Sequence, residues 1–176
     1  MNNENVVIKT NRLIIKNSTL GDAEGFFEIL SNPKMAHFVK LITDISQTKK
    51  MLEKKIIKYS GNNGIMFSVF ESRTMQMIGN INLKIIDKNI ASLSYIINPK
   101  FWNVGYATES AKAVVNWGFS NFNLNKIVAD CNENNLASIK ILKDKLNMQL
   151  VDIKQNYMFD EYRNKMVAFM FFELNK

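Results

Sequence analysis

The alternation of apolar and polar residues divides the chain into short strands and amphipathic helices. Residues 12–16 read as a strand. Residues 20–30 read as a helix, opened by Thr19 or Asp22 and stopped before Asn32-Pro33. An irregular stretch over 35–44 leads to a helix over about 46–59, with Leu52, Ile56 and Tyr59 on its apolar side. The turn Gly61-Asn62-Asn63-Gly64 precedes strands at 65–71, 75–86 and 90–98, the last two joined by a tight turn at 87–89. Pro99 closes the third of these. From 105 to about 121 the period is helical: Ala107, Ala111, Val114, Val115 and Gly118 share one face, and Glu109, Lys112 and Asn116 the other. A strand at 126–130 and a helix over 135–146, with Ile139, Leu142 and Leu146 inward, come next. Strands at about 149–155 and 165–174 close the chain.

The order is β-α-α-β-β-β-α-β-α-β-β. Three consecutive strands argue an antiparallel meander, and the later β-α-β unit argues one parallel crossover. The expected fold is therefore α/β in the mixed α+β sense: a twisted, mostly antiparallel sheet with helices on both faces. No internal repeat and no Pro/Gly/Ser-rich linker divides it, so residues 1–176 are read as one domain.

Composition narrows the chemistry. With 176 residues, 47% hydrophobic and 22% charged, the chain has the make-up of a globular domain rather than a disordered one. One cysteine, Cys131, excludes a disulfide framework and a thiolate-rich zinc site, and one histidine, His37, excludes an all-histidine metal site. No metal is expected. The start of the chain has no apolar leader and no run reaches the ~18 residues of a membrane span, so a soluble, cytoplasmic protein is expected. The net charge of +7 comes with only three arginines among 23 basic residues. Lys49, Lys50, Lys54, Lys55 and Lys58 read as the wet face of the second helix. Without arginine forks or an aromatic-basic motif, no direct contact with nucleic acid is expected.

The stretch Ile96-Ile97-Asn98-Pro99-Lys100-Phe101-Trp102-Asn103-Val104-Gly105-Tyr106-Ala107-Thr108-Glu109-Ser110 is a strand, a short loop and a glycine where a helix begins. A helix start offers several unbonded N–H groups and a partial positive charge, and Gly105 and Ala107 let a ligand approach that backbone. Such a place binds phosphate or pyrophosphate without a lysine. A plain turn enabled by Gly105 is the other reading of the same residues.

This segment, in this element order, resembles the signature of the GNAT superfamily of acyl-CoA-dependent N-acetyltransferases, written in one branch through Gly-Tyr-Ala-Thr-Glu and standing here as Gly105 to Glu109. Asn135-Leu136-Ala137-Ser138 resembles that branch's Asn-x-x-Ser opening of the fourth helix. Thr10-Asn11-Arg12-Leu13 and Asp22-Ala23-Glu24 fit the same branch, which includes the RimJ/RimL type that acetylates the amino termini of ribosomal proteins. The likeness runs from about residue 10 to 172. Trp102 stands where the family usually has Gln or Arg, Asn103 where glycine is frequent, and Asn147-Met148 where Gly-Phe usually closes the fourth helix. Asparagine suits a left-handed cap next best after glycine.

The resemblance implies acetyl-CoA as co-substrate and direct attack of a primary amine on its thioester, through a tetrahedral oxyanion. It implies that residues 93–97 splay from 126–130 and open a cleft. Backbone groups of Ile96 and Ile97 would pair with the pantetheine, as a peptide adds to a sheet edge. N–H groups of Val104, Gly105, Tyr106, Ala107 and Thr108 would hold the pyrophosphate. Asn135 would hydrogen-bond the pantetheine arm or order the cleft, and Ser138 would protonate the departing thiolate. Asp130 and Glu133 are the candidate bases. His37 and Phe38, between the first two helices, and Tyr157, in the hairpin between the closing strands, are candidates for the acceptor pocket. Phe159, Asp160 and Tyr162 share that hairpin. The expected acceptor is a protein or peptide α-amino group, with a small amine second. A polyamine wants an acidic pocket, and no carboxylate cluster stands out along the chain. A coenzyme-A-binding scaffold without turnover, and a ribosome- or RNA-associated module, are the rival classes; the protein is expected as a monomer or homodimer.

Overall fold

The computed structural model describes residues 6–176. Its eight strands are β1 (Val7–Lys9), β2 (Leu13–Asn17), β3 (Gly64–Glu71), β4 (Met77–Asp87), β5 (Ile90–Ile97), β6 (Lys126–Asn132), β7 (Gln149–Asp160) and β8 (Lys165–Asn175). They form a single sheet in the order β1-β2-β3-β4-β5-β6-β8-β7. Every neighbouring pair is antiparallel except β5 and β6. The helices are α1 (Ala23–Leu30), α2 (Ile45–Lys58), α3 (Tyr106–Asn121) and α4 (Leu136–Lys140).

Strand alternation sorts the core into two layers. On one face α3 and the α4 region bury Ala111, Val114, Val115, Leu142 and Leu146 against Phe67, Ile81, Leu83, Leu93, Ile127, Ala129 and Phe172. On the other, α1 and α2 bury Phe26, Ile29 and Leu52 against Met66, Phe70 and Met77. Gly118 is where α3 comes closest to the sheet: a Cβ there would sit 2.5 Å from Leu83 Cδ2. Lys49, Lys50, Lys54, Lys55 and Lys58 are exposed along α2, as a solvated face requires.

Three elements differ from the sequence expectation. Strand β1 is an additional edge strand, paired to β2 from Val7↔Lys16 to Lys9↔Ile14. The fourth helix is not α-helical throughout: after Lys140 it continues as a π-helix, Ile141–Lys145, in which Leu146 N–H donates to Ile141 O. It still turns its apolar residues inward and ends at Asn147 with φ 54°, the left-handed cap expected there. Strand β7 runs on to Asp160, so Tyr157, Phe159 and Asp160 lie within a strand and only Tyr162 lies in the turn.

Candidate active site

The two parallel strands are joined only at their first residues. The register runs Ile90↔Lys126, Ala91↔Ile127, Ser92↔Val128 and stops, although β5 continues to Ile97 and β6 to Asn132. Beyond Ser92 they diverge, as expected. Asn89 O ties the narrow end by accepting from the N–H groups of Asn125 (2.8 Å) and Lys126 (3.3 Å). At the wide end lies a cavity of about 620 Å³.

Its walls alternate. Leu93, Tyr95, Ala129 and Cys131 face the α3/α4 layer, where Asn135, Ser138 and Leu142 roof the space. Ser94, Ile96 and Asp130 occupy the intervening positions and turn towards the α1/α2 face. On that side the mouth is closed by residues from the loop after α1 and from the β7–β8 turn. His37 and Tyr162 stack across it with ring centroids 3.9 Å apart, and Phe38 meets Trp102 edge-on at 5.9 Å. His37 and Phe38 therefore line the cavity, as do Phe159, Asp160 and Tyr162. Tyr157 does not. Its ring packs on Phe169, itself a lining residue, and on Phe171, at 5.4 and 5.3 Å.

The two candidate bases separate. Asp130 lines the cavity with no ion-pair partner, and burial pushes its carboxyl above the ordinary aspartate value. Glu133 is turned away to β8: its carboxylate accepts from Ala168 N–H at 3.2 Å while its own N–H donates to Ala168 O. Three acids do converge on the cavity, which the linear order hid: Asp130, Asp160 and Glu161. Asp160 is neutralised by Arg163 at 2.6 Å. Asn135 caps α4, its Oδ1 accepting from Ser138 N–H at 3.1 Å, and so fixes the turn that carries the Ser138 hydroxyl into the cavity.

Backbone geometry revises one assignment. Asn98 N–H donates to Ile78 O at 2.8 Å, and ladder alternation from that pair turns the peptide groups of Ile96 towards β4. Those of Leu93, Tyr95 and Ile97 face the gap instead. Ile97 O already accepts from Trp102 Nε1 at 2.7 Å, which is what the tryptophan does in the place of the family's usual Gln or Arg.

The loop after β5 leads into α3. Gly105 sits at φ 87° and Asn103 at φ 64°, both left-handed. Among the described residues the N–H groups of Val104, Gly105, Tyr106, Ala107 and Thr108 find no backbone or side-chain acceptor; the first bonded one is Glu109, to Gly105 O. A brace absent from the sequence reading holds this helix start. Glu109 accepts from Thr10 Oγ1 (2.6 Å), Arg12 N (3.0 Å) and Arg12 Nε (2.7 Å), and Arg12 Nη1 donates to Val104 O at 2.9 Å. The guanidinium also lies 4.7 Å from the Tyr106 ring, whose hydroxyl donates to Glu71 at 2.6 Å. Five free N–H groups at a helix start suit the pyrophosphate of a coenzyme A. Among the described residues no group of three or more His, Cys, Asp or Glu side chains is placed to hold a metal ion, and no helix is long and apolar enough to cross a membrane.

Comparison with known proteins meets this geometry. Residues 12–148 match the model of the acetyltransferase (GNAT) domain. The chain is 29% identical over 157 residues to the Bacillus subtilis uncharacterized N-acetyltransferase YoaA, covering 87% of this chain and 88% of that one. Its fold is shared with a GNAT-family acetyltransferase from Bacillus anthracis (TM-score 0.82, 23% identity, 97% and 98% of the two chains). It is shared equally with RimL, a ribosomal L7/L12 α-N-protein acetyltransferase solved with coenzyme A (TM-score 0.87, 14% identity, 97% and 98%). The diverging parallel strands, the exposed amides at the start of α3 and the match across 12–148 place this chain in the GNAT family of acetyl-CoA-dependent N-acetyltransferases.

Proposed function

We propose that the protein transfers the acetyl group of acetyl-CoA to the α-amino group of a protein or peptide. The observation that carries this reading is the gap between β5 and β6, which opens to both faces of the sheet with Asp130 on one and Ser138 on the other.

In this arrangement the N–H groups of residues 104–108 hold the pyrophosphate, and the gap-facing peptide groups of Tyr95, with the N–H of Ile97, hold the pantetheine. Ser138 donates to the departing sulfur. The amine enters from the α1/α2 face, and Asp130 takes its proton directly or through one water. Phe38, Met158, Phe159 and Tyr162 expose apolar surface along the cavity. A chain terminus bearing an uncharged side chain fits it better than a compact, highly charged amine. The solved relatives named for ribosomal-protein α-amines share the fold and support the same class. A small amine is the second reading, favoured by the uncompensated Asp130 and Glu161 on the cavity wall.

The test is a panel of peptides with free or blocked amino termini, run beside small amines and polyamines, with coenzyme A release and product mass as readouts. The expected result is one acetyl group on free α-amines and none on blocked peptides. Transfer confined to small amines removes the protein-terminus reading. Release with no acceptor in the panel, at the rate of hydrolysis, removes both.

A further inference from the structure

Arg12 reaches the loop before α3, yet its charge is already matched. Nη2 lies 2.6 Å and Nε 2.7 Å from Glu109 Oε2. A guanidinium held in that fork has little charge left over for a phosphate. Its remaining contact is of another kind: Nη1 donates to Val104 O at 2.9 Å. Glu109 also accepts from Arg12 N and Thr10 Oγ1, so the fork is anchored at its root and meets Val104 O from one direction.

That bond fixes a peptide plane. In a trans peptide the C=O and the following N–H point in opposite directions, and no cis bond occurs among the described residues. With Val104 O drawn to Arg12, the Gly105 N–H points away from the guanidinium, and it is one of the amides that find no acceptor in the protein. Glycine itself does little to choose this orientation. Turning the Val104–Gly105 peptide over carries Gly105 from φ 87° to the negative side, and glycine occupies both sides about equally. The inverted plane presents Val104 O where the N–H now stands, and an anion there meets a carbonyl instead of a donor.

We propose that Arg12 is a positioning residue for the cofactor: through Val104 O it keeps the Gly105 N–H turned towards the pyrophosphate of acetyl-CoA. It acts as a directional donor, not as a charge. The inference rests on the pyrophosphate being held at the start of α3 and not on the identity of the acceptor.

The test needs no acceptor. Dissociation constants are measured by titration followed by NMR for coenzyme A and for pantetheine, which has the same arm and no pyrophosphate. Their ratio within one protein cancels changes elsewhere in the cleft. Arg12→Gln is expected to weaken coenzyme A about 10- to 100-fold, the worth of one hydrogen bond to a charged group, and pantetheine by less than about threefold. Arg12→Lys keeps the charge but lacks the fork, so it should behave like Arg12→Gln. Gly105→Ala leaves Arg12 in place, its Cβ standing 3.4 Å from Nη2, but disfavours the positive φ. It too should weaken coenzyme A selectively, and adding Arg12→Gln to it should cost less than Arg12→Gln alone, because both act on one peptide. An unchanged ratio in Arg12→Gln overturns the proposal. So does recovery of the wild-type ratio in Arg12→Lys, which makes charge the cause, and so does strict additivity. If the wild type binds coenzyme A no more tightly than pantetheine, the placement of the pyrophosphate itself falls.

Discussion

Asp130 lies on the cavity wall without a cationic partner among the described residues, and partial burial raises its pKa. Only the ionised form accepts a proton, so kcat/KM is expected to rise with pH through a value above the ~3.9 of an unperturbed aspartate. The sign for stability is opposite. A folded carboxyl with a raised pKa favours its protonated form, so its contribution is full below the unfolded value and lost as pH climbs through the folded one. Asp130→Asn should therefore cut turnover by about 10²- to 10⁴-fold. The variant should unfold at neutral pH at the same temperature as wild type or slightly above it, the difference fading in acid. A pH–rate profile beside thermal melts at several pH values checks both; retained turnover removes Asp130 as the base. In the sequence Asp130 and Glu133 were equivalent, three positions apart at one strand exit. Strand alternation and the backbone of Ala168 separate them, and both are tertiary facts.

At the scale of the element, α3 shows how much of a functional helix is legible and where legibility stops. Its span, its inward face and the turn at Gly105 follow from period and turn chemistry. The brace does not, since Thr10 and Glu109 are 99 residues apart and no local pattern links them. Burial alone pushes the Glu109 carboxyl up, but the bonds from Thr10 and Arg12 and the guanidinium charge outweigh it and hold the pKa below the ordinary value. A lowered carboxyl contributes stability above its unfolded pKa and loses it as pH falls through the folded one. Glu109→Gln is thus expected to destabilise by about 1–2 kcal/mol at pH 7, discounted because Arg12 is half exposed. The deficit should close as pH drops below about 4, and denaturant melts at pH 7 and pH 3.5 read the change. A deficit that does not depend on pH assigns the effect to packing rather than charge. Gly105→Val forces a β-branched residue to φ 87° and should cost about 1–3 kcal/mol. It should also crowd Arg12, whose Nη2 lies 3.4 Å from where a Cβ would stand.

For the whole molecule the sheet is a partition with one slot. In the proposed mechanism the donor lies on the α3/α4 face, at the start of α3 and under α4. The acceptor would meet the α1/α2 face, where His37, Phe38 and Tyr162 line the cavity. The element order and the parallel crossover were readable from alternation and helical period. The contact of Tyr162 with His37 was not, because β7 carries its strand as far as Asp160 and brings the turn holding Tyr162 onto His37. If the partition governs function, damage on one face should leave binding on the other intact. Acetyl-CoA at about 100 times its dissociation constant stabilises a folded protein by about 2.7 kcal/mol, or roughly 5–10 °C for a chain of this size. Phe38→Ala combined with Tyr162→Ala should keep that shift while raising the acceptor KM. Gly105→Val should lose the shift although it still folds. A mouth variant that also loses it would mean that the two half-sites are coupled through the slot, and that the aromatic cluster helps to set the separation of β5 and β6.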